Sequence, residues 1–207
     1  MTMNIIELHT ENPNKRDIQK IADKVNDGAI IIFPTDTIYA MGCLMTKRAS
    51  IDKIINITGK REKQSKMSII CHDLKSVADY TLPYSNHVFK TMKRYLPGPY
   101  TFLLNADTAV TRYFKNNKRD IGVRIPDNEI TLTLLQYLDA PLISTSLNDN
   151  DHYYIDPVEI AADYGQKVDM ILDGGIGSAD ESTVLDCRSN EVEVMRLGKG
   201  PVDGYES

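Results

Sequence analysis

The unbroken apolar run Ala29-Ile30-Ile31-Ile32-Phe33 most constrains what this chain can fold into. Its length and β-branched content suit a strand buried on both faces. Pro34 ends it, because proline has no backbone donor for a central ladder. Thr35-Asp36-Thr37, Tyr39 and Gly42 follow. Hydroxyls and a carboxylate are thereby set at the end of a buried strand, where open α/β sheets bind ligands. The same residues also fit a solvated turn in which Thr35 or Thr37 caps a helix.

Other segments repeat the pattern. Residues 4–8 read as a strand, and Asn12-Pro13 as a helix start. Ile18, Ile21, Ala22 and Val25 fall at helical spacing, with Gly28 as the C-terminal cap. Helices are predicted over 47–57, 74–79, 85–96 and 128–138, and after Asp156-Pro157. A short helix is expected to carry Arg112, Lys115, Lys118 and Arg119. Strands are predicted over 67–71, 100–104, 121–125, 141–146, 168–172, 182–187 and 191–196, with Asn190 in the last turn. Pro97-Gly98-Pro99 stops the helix before it. Strands alternating with helices, then a strand-rich end, predict an α/β fold: a mixed, twisted sheet with helices packed on it.

Two strand ends bear chemistry. Pro141 to Ser146 closes in Ser144-x-Ser146-x-Asn148. The apolar strand 121–125 contains Arg124, and an arginine there needs an anionic partner unless it lies on an edge facing solvent. The chain has neither the Gly-x-x-x-x-Gly-Lys-Ser/Thr loop nor Gly-x-Gly-x-x-Gly after a strand. Strand-end hydroxyls with Lys and Arg suit a carboxylate beside a polyphosphate, since guanidinium grips both oxygens of an anion.

The 207 residues are read as one domain, with the glycine-containing tail 198–207 loosely ordered. Three cysteines (Cys43, Cys71, Cys187) and four histidines are scattered without metal-type spacing. No signal peptide is expected, and no apolar run approaches the roughly 20 residues that span a membrane. A reduced, cytoplasmic setting follows. The net charge of −5 hides a split: Lys47–Arg124 carries a balance of +10, the remainder −15. A basic central segment suits a nucleotide or RNA phosphate; the same lysines also suit solvated helix faces.

Pro34-Thr-Asp-Thr-Ile-Tyr-Ala-Met-Gly-Cys43 resembles the Pro-Thr-[Asp/Glu]-Thr-x-Tyr-[Gly/Ala]-Leu-Gly signature of the YrdC-like family, the threonylcarbamoyl-AMP synthases and their YciO-type relatives. Pro97–Thr101, Ile121–Pro126, Ser144–Asn148 and Ser182–Asp186 resemble further family landmarks in the same order. The resemblance implies a YrdC-like twisted open mixed sheet with flanking helices around a concave cleft. It implies a nucleotidyltransferase that joins L-threonine, bicarbonate or CO2, and ATP into threonylcarbamoyl-AMP for tRNA modification, with Mg2+ arriving with the ATP. Thr35, Tyr39 and Arg124 would then bind threonine. Lys60, Arg61, Ser144, Ser146, Ser182 and Arg196 would bind nucleotide, and Lys60, Ser146 and Asn148 would be catalytic.

One motif departs from the pattern. Family synthases carry Lys-x-Arg after the second helix and then an Asn-Pro-Leu type loop. Here Thr58-Gly59-Lys60 stands in that place, with Arg61 next and Ser65-Lys66-Met67 in the later loop. The missing proline and the run Met67–Leu74 are more similar to the YciO-type branch, for which the resemblance implies binding of double-stranded RNA or tRNA. The intact Ser146-x-Asn148 matches the synthases.

Overall fold

The computed structural model describes residues 4–59, 67–113, 119–149, 152–189 and 191–203. The elements in chain order are β1 (Ile5–Glu7), α1 (Lys15–Asn26), β2 (Ile31–Phe33), β3 (Ala40–Leu44), α2 (Arg48–Thr58), β4 (Ser68–Ile70), α3 (Leu74–Ala78) and α4 (Asn86–Tyr95). They continue with β5 (Tyr100–Asn105), α5 (Thr108–Thr111), β6 (Asp120–Arg124), α6 (Glu129–Leu135), β7 (Leu142–Ser146), β8 (Asn148–Asp149), β9 (His152–Tyr153), α7 (Pro157–Tyr164), β10 (Met170–Asp173), β11 (Thr183–Asp186) and β12 (Glu193–Arg196).

Ten strands form one mixed sheet in the order β1-β10-β2-β3-β7-β4-β6-β5-β11-β12, and β8 pairs with β9 as a separate hairpin. The run behind β2 behaves as its composition demands. Ile31, Ile32 and Phe33 are fully buried. Ile30 and Ile32 join one core cluster, while Ile31 and Phe33 join the other. β2 is thus covered on both faces, and Pro34 stands just beyond its end.

The sequence places α1 from Pro13, whereas the structure starts it two residues later. Asn14 is the N-cap, its side chain accepting from the Arg16 amide at 2.9 Å. The buried stripe is the predicted one, Ile18, Ile21, Ala22 and Val25, each isoleucine contributing about 1.5–3 kcal/mol by leaving water. Gly28 follows at φ 110°, the left-handed conformation that lets the chain turn straight into β2.

Strand β3 was not anticipated. Gly42 sits in its middle, and glycine weakens a strand in isolation. Register explains both residue and strand. A Cβ at Gly42 would stand 2.7 Å from the Ile143 carbonyl oxygen and 3.2 Å from Ser144 Cβ, so only glycine lets β3 lie against β7. The tail is also tighter than expected over 198–203. Lys199 N donates to the Glu181 carbonyl, Thr183 Oγ1 to the Gly200 carbonyl, and Tyr100 Oη to the Pro201 carbonyl. Residues 204–207 lie outside the described residues, as do Lys115, Lys118 and Asn190.

The two faces of the sheet are covered differently. α2, α3, α4 and α7 pack on one face through Ile51, Ile54, Val77, Val88, Met92 and Ile160. On the other face α1 and α6 cover only the half that contains β2, β3 and β10. The half made of β7, β4, β6, β5, β11 and β12 keeps a concave surface open on that side. No helix among the described residues is long and apolar enough to cross a membrane.

Candidate functional site

Strand alternation builds the open surface. On β5, Tyr100, Phe102 and Leu104 turn into the core while Thr101 and Leu103 face the hollow. On β6, Ile121 and Val123 turn in while Asp120, Gly122 and Arg124 face the hollow. Ser68 on β4 and Ser144 and Ser146 on β7 do the same. This is the period-2 rule of a half-buried strand, with five of the outward residues, Ser68, Thr101, Gly122, Ser144 and Ser146, small or hydroxylated. The register aligns Gly42, Ser144, Ser68 and Gly122 in one row across four strands. With no bulky side chain in that row, the sheet presents a floor rather than a packed face. The hollow above it encloses about 680 Å³, within the range typical of small-molecule sites.

One end of the hollow is cationic. Arg124 is buried, with a side chain only 7% exposed. Its Nη2 donates to Asp36 Oδ1 at 2.8 Å and to Thr37 Oγ1 at 2.8 Å. Asp36 Oδ2 also accepts from the Asp127 amide at 3.1 Å. Burial pushes the Arg124 pKa down from its ordinary value; the Asp36 carboxylate pushes it up, and the nearby Arg196 charge pushes it down. Arg124 Nε is buried and has no hydrogen-bond partner among the described residues, a rare condition that calls for an acceptor. Arg196 reaches the same end from β12. It pairs with Glu181, and its Nη2 donates to the Ser182 carbonyl at 2.8 Å. Ser182 Oγ lies 2.8 Å from Thr101 Oγ1.

The expected site residues divide into three groups. Arg124, Ser144, Ser146, Asn148, Ser182 and Arg196 all line the one hollow. Thr35 and Tyr39 do not. They line a neighbouring recess of about 260 Å³ with Asn128, Gly174 to Ser178, and Lys199. Their polar atoms are already engaged: Thr35 Oγ1 donates to the Ile38 carbonyl at 2.8 Å, and Tyr39 Oη donates to the Gly175 carbonyl at 2.7 Å while accepting from the Gly174 amide at 3.1 Å. Burial pushes the Tyr39 pKa up to about 12, so this hydroxyl stays protonated and holds the Gly174-Gly175 turn in place. Lys60 and Arg61 lie outside the described residues.

The Thr35-Asp36-Thr37 turn is the wall between hollow and recess. Because the Thr35 proton goes to Ile38, the 3.1 Å contact between the two hydroxyls has Thr37 as donor. Thr37 then passes this order on by accepting from Arg124. Lys199 Nζ donates to the Asp36 carbonyl at 2.7 Å from the far side. Sequence reasoning noted Asp36 only as part of a motif and passed over Ser68, Thr101, Gly122 and Lys199. Alternation within Tyr100–Leu104 pointed to Thr101; Lys199, which follows the last strand, has no local signal at all.

The buried thiols Cys43, Cys71 and Cys187 are free, and burial pushes each pKa up to about 12. Among the described residues no group of three or more His, Cys, Asp or Glu could hold a metal ion.

Comparison with known proteins places this geometry. The Sua5/YciO/YrdC family model, described as telomere recombination, matches residues 23–198. A Haemophilus influenzae protein is 34% identical over 197 residues, covering 93% of this chain and 94% of that protein. YciO of Escherichia coli K12 is 33% identical over 201 residues, covering 96% and 97%. The crystal structure of E. coli YciO superposes with a TM-score of 0.89, at 32% identity and 98% coverage of both chains. P. abyssi Sua5, in complex with L-threonine, superposes with a TM-score of 0.86 at 24% identity, over 94% of this chain and 57% of that one. By its motifs, its sheet and these likenesses, the chain belongs to the Sua5/YciO/YrdC family.

Proposed function

We propose that the hollow binds an amino-acid carboxylate beside a nucleotide, and that the protein is an L-threonylcarbamoyladenylate synthase-like nucleotidyltransferase. One observation carries the reading. Two guanidinium groups and the hydroxyl ends of separate strands share one hollow, and one guanidinium keeps a donor without an acceptor among the described residues. The family likeness and the threonine complex of P. abyssi Sua5 support it.

In this reading the threonine amine and bicarbonate give a carbamate with loss of water. A carbamate oxygen attacks the α-phosphorus of ATP and displaces pyrophosphate. The chemistry asks the protein mainly to hold two anions together and offset their repulsion. Arg124 takes the threonine carboxylate, kept in place by Asp36 and Thr37. Ser182 and Arg196 face the phosphate. Ser144, Ser146 and Asn148 line the opposite side, where the carbamoyl group and nucleotide meet. Lys60 and Arg61 would add charge toward the β- and γ-phosphates. Among the described residues the carboxylates lining the hollow are Asp120 and Glu181, so Mg2+ would be carried on the phosphates of ATP, where it offsets their charge.

The test is pyrophosphate release from ATP by the full chain. Release is expected only when L-threonine and bicarbonate are both present. Release that ignores either, or none at all with Mg2+ supplied, overturns the reading.

Binding of double-stranded RNA or tRNA is the second reading, favoured by the +10 balance over Lys47–Arg124 and by the likeness to YciO. Affinity should then fall linearly on a log–log plot against salt, by about 0.7–0.9 per phosphate neutralised. No binding at low salt would dismiss it.

A further inference from the structure

We propose that Asp120 reads the exocyclic amine of a nucleobase laid over Leu103 and Gly122. The assignment rests on the nucleotide reading above and adds the contact by which the site tests the base for an amine.

The hollow is graded along its strands. Asp120, Gly122 and Arg124 alternate on β6 and so share one face. Four residues of strand separate the charged pair by about 13 Å. Phe102 lies opposite Val123 in the β5–β6 ladder, which brings Thr101, with its partner Ser182, beside Arg124. The cations and hydroxyls therefore gather at one end, Gly122 forms the middle of the floor, and Asp120 stands alone at the other end.

Between these ends lies Leu103, opposite Gly122, as an apolar patch; Val184 stands opposite Thr101 and Arg196 in the cationic row, with Met195 next to it. Leu103 faces the hollow from β5, Val184 from β11 and Met195 from β12. A flat base resting on Leu103 would remove its outward surface from water, at about 25 cal/mol per Å². Phosphate at the cationic end then leaves the edge of the base facing Asp120.

Asp120 is held for such a contact. Its Oδ2 accepts from Arg188 Nη1 at 3.2 Å. Arg188 is itself fixed by Asp186, through Nε at 2.9 Å and Nη2 at 2.5 Å. Asp120 Oδ1 has no hydrogen-bond partner among the described residues, and its side chain is one-third exposed. One anchored acceptor oxygen fits one N–H donor. The amine of adenine supplies it; a base edge without a donor leaves Oδ1 stripped of water and without a donor.

The test compares AMP with purine riboside 5′-monophosphate, which is AMP without the amine, by calorimetric titration of the full chain. Wild type should bind AMP about tenfold more tightly, the loss expected for one partly exposed hydrogen bond to a charged group. Asp120→Ala should erase the difference, and Asp120→Asn, whose amide oxygen still accepts, should keep part of it. Equal affinities in wild type, or a preference that survives Asp120→Ala, would overturn the assignment while leaving nucleotide binding intact. If neither nucleotide binds, the nucleotide reading fails and this assignment fails with it. The wild-type comparison decides the matter even if the alanine variant does not fold.

Discussion

Replacing Arg124 with leucine should lower the unfolding free energy by about 3–5 kcal/mol, the range for removing one partner of a buried ion pair. The Arg124 and Asp36 side chains are 7% and 8% exposed, so Asp36 would be left charged in a place that water scarcely reaches. Among the described residues, the Asp36 carboxylate would keep only its bond from the Asp127 amide. For a chain of this size the melting temperature should fall by about 2–4 °C per kcal/mol, and thermal or urea unfolding reads the change directly. The same variant should lose threonine binding altogether. The double variant Arg124→Leu with Asp36→Val separates these effects. With both charges gone, part of the stability should return, because a buried pair is often matched by apolar residues of similar volume. Binding should not return. A single variant as stable as wild type would mean that the pair is not truly desolvated, and threonine binding in the double variant would remove Arg124 from the site.

Gly122→Val should act the opposite way, sparing the fold and destroying the site. Gly122 lies mid-strand, where glycine marks the close approach of something else. A Cβ there would stand 2.4 Å from Ser68 Oγ and 3.1 Å from Thr101 Cγ2. The serine hydroxyl is the end of a short rotatable side chain and can turn aside, and a β-branched residue suits a strand better than glycine does. Folding should therefore change by no more than about 1 kcal/mol. The branched side chain would instead rise from the floor of the hollow into the volume a ligand needs. Displacing the bound geometry by about 1 Å is enough to cost roughly 100-fold in turnover, and a valine displaces more than that. Pyrophosphate release that persists at the wild-type rate in a folded Gly122→Val would show that the chemistry happens elsewhere.

Much of this arrangement was legible beforehand, for reasons that differ from segment to segment. The α1 stripe and the end of β2 at Pro34 are local facts. Helical spacing and a missing backbone donor act within a few residues, so the sequence predicts them and the structure agrees. Boundaries slipped where two local signals competed: Asn12-Pro13 offered a cap and a first-turn proline, yet Asn14 took the cap. Strand β3 escaped because Ala-Met-Gly-Cys-Leu has a glycine at its centre, and its reason lies across the sheet in the Ile143 carbonyl. The tail escaped for the opposite reason: its glycines suggest looseness, whereas Gly200 packs so tightly on the Tyr100 ring that a Cβ would come within 2.5 Å of it.

The chain alone determined which residues bear charge, which strands end in hydroxyl clusters, and that an arginine in an apolar strand requires either an anion or a solvent-facing edge. Only the tertiary structure decided that the anion is Asp36, reached across 88 positions of sequence, and that Thr35 and Tyr39 face a separate recess. The reason is physical. Periodicity assigns a side chain to a face at no cost in distance information, but two faces meet only through strand order and register. Those are set by how the whole sheet buries its apolar side, not by any stretch of it.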